Sequence, residues 1–394
     1  MKKVITLLTS LIMASVTLCG CVENGGGGAD DGNLTAKGYT FYSMNTTATL
    51  VTYDDFTRQE NLDKFDGFVS HVGRLLNEIE NAISTTRTTS GIYKFNNAQA
   101  GARVELDDNF HAYKVLSIAK EVYALTDGYY NPAVYYNVAA YGFNGGVKDM
   151  PHDSSELPTD DEIAAYMALY AHFDEVEVEK DATNRVFVVK PEYTVQYGGE
   201  TLSMKLDLGG IGKGYAADIV NGLMDSYGYT TGYFNFGSSS MAIKQFKGGG
   251  TYNLGYSNPR YPSEVYARSH VKDTALSTSG DYEQYFLLDN DNDGNRETRY
   301  CHVFNPQTGR PIETGIMTAT VIGGAAAEND ALTTAIMAMG AADAIKFINE
   351  ELTVLGKKVI FTVDCGADGY KYYTNMADGS YEIVSTDFTK LQTA

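Results

Sequence analysis

Along residues 54–83 the apolar positions Phe56, Leu62, Phe65, Phe68, Val69, Val72, Leu75, Leu76, Ile79 and Ile83 recur against a polar background. That period predicts one long amphipathic helix with a single buried stripe. Residues 112–125 repeat it through Val115, Leu116, Ala119, Val122 and Tyr123 and stop at Asp127-Gly128. Thr159-Asp160-Asp161-Glu162 fits a capping box ahead of Ile163 to Met167 and predicts a third helix. The pattern then changes. Val176, Val178 and Val186 to Val189, separated by polar residues 181–184, predict a hairpin. Met204 to Leu208 predicts a strand entering a glycine-rich turn, and residues 213–226 a helix with Tyr215, Ile219, Val220, Leu223 and Met224 on one face. Residues 230–325 read as short strands and glycine turns. A strand at Thr318 to Ile322 leads into helices near 330–339 and 342–350, and strands at 358–363 and 369–373 close the chain. Clustered strands interrupted by helices predict an α+β fold with antiparallel sheet prominent. No repeat of fixed period is present.

One apolar run does not belong to that pattern. Lys2 and Lys3 precede an almost uncharged stretch from Val4 to Leu18, which ends in Leu18-Cys19-Gly20-Cys21. This is the layout of a secretory signal, and at about fifteen residues the stretch is short of the ~20 that a spanning helix needs. Leu-x-Gly-Cys resembles the bacterial lipobox, and the resemblance implies cleavage before Cys21 and acylation of that cysteine. Several acyl chains hold a protein firmly on a membrane. The expected organisation is a signal peptide over 1–20, a lipidated Cys21 with a flexible linker over 21–37, rich in glycine at 25–28, and a folded part over 38–394. The expected location is the extracytoplasmic or periplasmic side of a membrane. A formal charge of -20 argues against a nucleic-acid partner. Beyond the signal and Cys21, Cys301 and Cys365 remain, and either a disulfide or two buried thiols fits them.

Three stretches carry candidate chemistry. Asp207-Leu208-Gly209-Gly210-Ile211-Gly212-Lys213-Gly214 stands between a predicted strand and a predicted helix. Glycines there allow backbone amides to face an anion beside a helix N-terminus; a tight strand-to-helix turn is the plainer reading. In Asn329-Asp330-Ala331-Leu332-Thr333-Thr334, a helix places Asp330 and Thr334 one turn apart on one face. Both are hard oxygen ligands of the kind magnesium takes beside phosphates, and Asp330 fits equally well as an N-cap. Thr278-Ser279-Gly280-Asp281-Tyr282 is followed by His302 to Pro311, a structured loop in which His302 has the chemistry of a general base or of a structural histidine. Between them Asp289 to Gly294 mimics the start of a calcium loop, but Tyr300 stands where an EF-hand needs Glu. A solvated hairpin turn is expected.

The order of these motifs is more informative than any one of them. Met44-x-Thr46, Ser84, Ser90-x-x-Tyr93-x-Phe95-Asn96, Gly128 to Val134, Tyr141-Gly142-Phe143, Asp207 to Asp218, Thr278-Ser279-Gly280, His302 to Pro311 and Asp330-Ala331-Leu332-x-Thr334 follow one another as in the ApbE family, which the chain resembles over roughly residues 40–350. That family comprises bacterial FAD:protein FMN transferases. The resemblance implies a T-fold-like α+β architecture of two closely packed lobes with FAD between them. It implies magnesium-dependent transfer of FMN from FAD to a threonine of an acceptor protein, with release of AMP. Acceptors of this kind are subunits of membrane redox complexes or extracytoplasmic flavoproteins. By the same resemblance, Asp207 and Lys213 contact FAD, and Met44, Tyr129, Tyr130, Asn131 and Phe304 supply further flavin or adenosine contacts. The Gly210 carbonyl, Asp330 and Thr334 hold the metal, and His302 is the base toward the acceptor hydroxyl. Hydrolysis of FAD to FMN and AMP, or binding of FAD without catalysis, are the alternatives. The chain departs from the family pattern at Thr86, Asn45, Asn305, Gly237-Ser238 and Tyr141, and these departures bear on the flavin pocket.

Overall fold

The computed structural model describes residues 18–19, 34–106, 110–143, 150–290 and 294–392. Cys21 and most of the expected linker lie outside them. The linker ends sooner than expected, because Thr35, Ala36 and Lys37 already pair with Asp54, Tyr53 and Thr52, and the Lys37 ammonium sits 4.7 Å from the centre of the Phe65 ring.

A nine-stranded sheet forms the centre. Its strands are β1 (Thr35–Ser43), β2 (Thr46–Asp54), β3 (Gly232–Phe236), β4 (Ser240–Ile243), β5 (Thr274–Gly280), β6 (Ile316–Ile322), β7 (Lys358–Asp364), β8 (Tyr370–Thr374) and β9 (Phe388–Lys390), lying side by side in chain order. All pairs are antiparallel except β8 with β9. Helices α1 (Gln59–Ile83), α2 (His111–Leu125), α3 (Gly209–Ser226) and α4 (Ala326–Met339) share a core with one face of this sheet. Tyr252–Ser257, Val265–Val271 and Tyr381–Ile383, with a two-residue bridge from Leu18–Cys19, make a second sheet against the other face.

Alternation along the strands explains the layering. In β6, Ala319 and Val321 point to the helices and Ile322 to the second sheet; Met317, of the same parity as Ala319, faces the second sheet because the register shifts between Ile316 and Thr318. Both faces are covered, so all seven residues of β6 are buried and its sequence is continuously apolar or small. The fold is α+β, as expected, and the parts on either side of the site share one continuous core.

Local departures have local causes. The helix predicted from residue 54 begins at Gln59, because β2 runs through Asp54. Thr159 caps the helix Asp160–Tyr170 by accepting the Glu162 N–H. The strand expected at Met204 to Leu208 joins no sheet. Its backbone is satisfied by the buried Asn96 side chain, which donates to the Leu206 carbonyl at 2.8 Å and accepts the Leu206 N–H at 2.8 Å. Asn96 thus substitutes for a neighbouring strand, which no periodicity can report.

Candidate active site

The site begins with the glycine run, and the run is helical. The expected turn does not exist: α3 starts at Gly209, and Asp207 accepts the Gly209 N–H at 2.8 Å, so a carboxylate supports the first turn from just outside it. Asp207 is itself held by donation of its N–H to the Pro132 carbonyl at 2.7 Å. The glycines serve close packing. A Cβ on Gly212 would lie 2.6 Å from Ile83 Cδ1, and one on Gly214 would lie 2.6 Å from the Ala326 carbonyl carbon and 2.8 Å from Ala327 Cα. Helices α3 and α4 therefore touch backbone to backbone.

That contact positions the rest. Asp218, one turn beyond Gly214 on α3, accepts the N–H groups of Ala326 and Ala327 at 2.7 and 2.9 Å, capping α4 from a neighbouring helix. Asp330 is consequently inside α4 and is not its N-cap. The Gly214 N–H, a donor that a regular helix directs at the Gly210 carbonyl, reaches Asp330 Oδ2 at 3.0 Å. Thr334 follows one turn along α4. Its Oγ1 lies 3.3 Å from the position a Gly210 Cβ would occupy, and Tyr130 Cε2 lies 3.7 Å from the same point. Gly210, Asp330, Thr334 and Tyr130 thus converge on the start of α3. The donor set is a carbonyl, a carboxylate and a hydroxyl, which suits a hard divalent cation; among the described residues no cluster of three or more His, Cys, Asp or Glu with metal-binding geometry occurs.

Charge is concentrated here. Burial raises the carboxyls of Asp330 and Asp207 from their ordinary values, and Lys213 opposes the shift in each, while Glu283, exposed to solvent, lies near the same ammonium. Lys213 makes no ion pair within 4 Å among the described residues, so its ammonium sits among three carboxyls without being committed to one. Burial also lowers His302, to about 4, with Lys213 adding to the effect. The ring is therefore neutral at physiological pH. Its Nδ1 lies 3.3 Å from the Gln284 carbonyl, an acceptor only, so Nδ1 carries the hydrogen and Nε2 keeps a free lone pair.

The remaining candidates divide. Met44 and Asn45 form the two-residue turn between β1 and β2 with φ of 47° and 59°, the backbone that two-residue hairpin turns favour. Asn tolerates this conformation well, so Asn45 in place of glycine is not disruptive there. Met44 is held in it at a cost of about 1 kcal/mol, and its sulfur lies 3.8 Å from the Gly212 Cβ position. Tyr129 is half-buried against the main core. Asn131 donates to the Tyr170 carbonyl and accepts the Ala133 N–H, so both ends of its amide shape the loop carrying Pro132. Phe304 packs its ring with Tyr141 and Phe143 in a small core of their own, ring centres 5.5 and 6.2 Å away, on a strand that contacts α4.

Other motif residues are architectural. Ser279 bonds Thr333 at 2.8 Å, tying β5 to α4, and Thr278 bonds Thr320 at 2.9 Å across the sheet. Thr86 is turned toward Ser84, 3.2 Å between hydroxyls. Asp289 to Gly294 joins strands Tyr285–Leu288 and Thr298–Cys301 as a hairpin loop, with 291–293 outside the described residues. Cys301 and Cys365 are both free thiols, and burial pushes Cys301 up to about 12. Sequence reasoning did not single out Glu283 or Asp218 as site residues. Glu283 follows Thr278 to Tyr282 directly, and Asp218 lies four residues after Gly214, but their partners come from segments distant in sequence.

The ApbE family pattern matches residues 44–356. This chain belongs to the ApbE family. It is 26% identical over 270 residues to the FAD:protein FMN transferase of Escherichia coli K12, covering 68% of this chain and 70% of that one. It is 26% identical over 302 residues to the Vibrio cholerae protein of the same name, covering 76% and 80%. Among solved structures, the ApbE protein of Thermotoga maritima superposes with a TM-score of 0.67 at 25% identity, covering 87% of this chain and 97% of that one. The ApbE flavin transferase of Vibrio cholerae gives 0.67 at 22% identity, 86% and 97% covered, and shares the fold. The chain is an enzyme of the transferase class.

Proposed function

We propose that this protein is an FAD:protein FMN transferase that moves FMN from FAD to a threonine of an acceptor protein. The observation that carries this reading is the convergence of Gly210, Asp330 and Thr334 on the first turn of α3, beside Lys213, in a member of this family.

Three carboxyls around one ammonium leave the site acidic, so an anionic diphosphate needs a cation to bind there. Magnesium fits the donor set of the Gly210 carbonyl, Asp330 and Thr334, and when bound supplies charge neutralisation at the diphosphate. Lys213 and the N-terminus of α3 add fixed positive charge toward the phosphates. The attacking threonine oxygen forms a bond to the phosphorus of the FMN half while the P–O bond to the AMP half breaks. AMP leaves with that bond's electron pair. His302 Nε2 accepts the proton of the threonine hydroxyl, and typical general-base assistance is worth about 10²–10⁴-fold.

The lipobox-like Cys21 supports a further part of this reading. An acyl anchor on Cys21 and the glycine-rich stretch after it would hold the site near acceptors on the same membrane and raise their effective concentration. Among the described residues no helix is long and apolar enough to cross a membrane. Incubating the protein with FAD, magnesium and a threonine-bearing acceptor tests the activity. Covalent flavin on the acceptor together with AMP supports transfer, whereas free FMN with AMP identifies a hydrolase and unchanged FAD leaves binding alone.

A further inference from the structure

His302 stands at the root of a β-hairpin. Strands Tyr285–Leu288 and Thr298–Cys301 make a two-stranded sheet of their own. The residues that continue it toward the site are Gln284 and His302, whose N–H donates to the Gln284 carbonyl at 3.1 Å. In an antiparallel ladder such hydrogen-bonded pairs alternate with pairs whose main-chain groups point outward. Phe286 with Tyr300 and Leu288 with Thr298 are therefore bonded inward, and the N–H and C=O groups of Tyr285 and Leu287 face out of the hairpin's free edge. Among the described residues no hydrogen bond reaches them. The edge is also held in place. Phe286 stacks on Tyr300, ring centres 5.1 Å apart, and on Phe143 at 5.6 Å, while the Arg299 guanidinium lies 3.8 Å from the centre of the Tyr285 ring. Tyr285 is nonetheless 40% exposed, an aromatic surface of the kind enriched at interfaces.

An open edge pairs with an extended chain that reaches it, and the place of this edge selects the partner. For His302 to take the proton of a threonine hydroxyl, the acceptor's main chain must pass within reach of two short side chains. The imidazole leans across the hairpin toward the Tyr285 strand, since its Nδ1 lies 3.3 Å from the Gln284 carbonyl. A chain added along Tyr285–Leu288 runs about 10 Å, two strand spacings, from His302. A histidine and a threonine side chain joined through a hydrogen bond of about 2.8 Å span a similar distance. We propose that the acceptor docks by adding an extended segment to this edge as a third strand, pairing with Tyr285 and Leu287 and presenting its threonine opposite Gln284. Such pairing reads backbone, so the partner is a protein whose threonine lies in an exposed, extended stretch. This deepens the transferase reading and rests on it and on His302 as the base.

Hydrogen exchange in the intact chain tests this. In the free protein the Tyr285 and Leu287 amides exchange fast beside the protected amides of Phe286 and Leu288. The probe is a threonine-bearing acceptor protein with alanine in place of that threonine, added with FAD and magnesium so that the complex forms without turnover. It slows exchange at Tyr285 and Leu287 by about tenfold or more. Leu287→Pro removes one outward N–H at a position where an edge strand tolerates proline. Its kcat/KM for the unaltered acceptor falls about two- to tenfold below that of Leu287→Ala, which keeps the N–H, as expected for one neutral hydrogen bond; the Kd for FAD is equal in the two. Amides that stay fast in the complex overturn the proposal, as do equal kcat/KM values for the two folded variants. If proline prevents folding, exchange in the wild-type chain decides alone. Protection already present in the free protein also overturns it, marking a second copy of the chain where it fades on dilution and a segment of the chain itself where it does not. Covalent transfer to the unaltered acceptor without protection in the complex overturns this proposal and leaves the transferase reading standing, whereas no covalent transfer overturns both.

Discussion

Substituting Gly214 by alanine is a sharp test of how this site is built. An alanine Cβ at 214 would lie 2.6 Å from the Ala326 carbonyl carbon and 2.8 Å from Ala327 Cα, and closer still to the Ala326 oxygen. Carbon atoms at rest sit about 3.5–4.0 Å apart, so the start of α4 must retreat by about 1 Å. Both obstacles are backbone and no rotamer change relieves them. Overpacking of this kind costs about 1–3 kcal/mol. The same retreat strains the Gly214 N–H to Asp330 bond and the two Asp218 caps, and hydrogen bonds to charged groups are worth about 1.5–3 kcal/mol each. Against this, alanine favours helix over glycine by about 1 kcal/mol. The net expectation is a loss of about 2–4 kcal/mol. Gly222 is the control: it is exposed on the same helix and a Cβ there meets nothing within 4 Å, so Gly222→Ala should gain about 0.5–1 kcal/mol. The two variants change the unfolded chain in the same way, which leaves the packing difference. Chemical denaturation of both, fitted with a common slope, should separate them by about 3–5 kcal/mol. Curves that agree within about 0.5 kcal/mol, which is the scatter expected between independent surface sites, would refute the claim that backbone contact between α3 and α4 holds the site together.

Three further outcomes follow from the same geometry. Asp330→Ala should keep its circular dichroism spectrum, lose measurable magnesium binding by calorimetry and lose turnover; full activity would remove Asp330 from the metal assignment. Asp218→Ala should lower stability by about 1–2 kcal/mol as α4 loses its cap, and should reduce turnover because Asp330 rides on that helix; a stability loss with unchanged kcat would separate the cap from the site. His302 must be neutral to act as a base, and since the folded ring is held near 4 and the ordinary value is 6.5, the rate should stay level as pH falls through 6.5 and decline only toward 4. Between those two values the unfolded chain takes up a proton at this ring and the folded chain does not, so stability falls with pH across that window. His302→Ala should flatten the fall and lose transfer while still binding FAD, and a limb in the rate profile near 6.5 would show that another group is the base.

The periodicities and the ordered motifs determined much of this protein before any coordinates. The apolar stripes of α1 and α2, the Thr159 cap, the hairpin at Glu177–Val189 and the α+β class are written in local spacing, because helices and strands repeat on scales of a few residues. Asp330 with Thr334 was legible as a candidate pair for the same reason, while Asp207 and Lys213 were singled out only through the resemblance to the family. What spacing cannot express is contact between segments far apart in the chain. The Asn96 side chain takes the place of a strand beside Leu206, so an extended segment lacks a sheet. Phe304 becomes a core ring through Tyr141 and Phe143, although its motif points to a ligand. The glycine run at 209–214 has the composition of a loop, yet it is the first turn of a helix, because Ile83, Ala326 and Ala327 leave no room for a Cβ. Tertiary packing therefore decided what those glycines do: they bring two helices into backbone contact, and the site exists where that contact sets Gly210, Asp330 and Thr334 side by side.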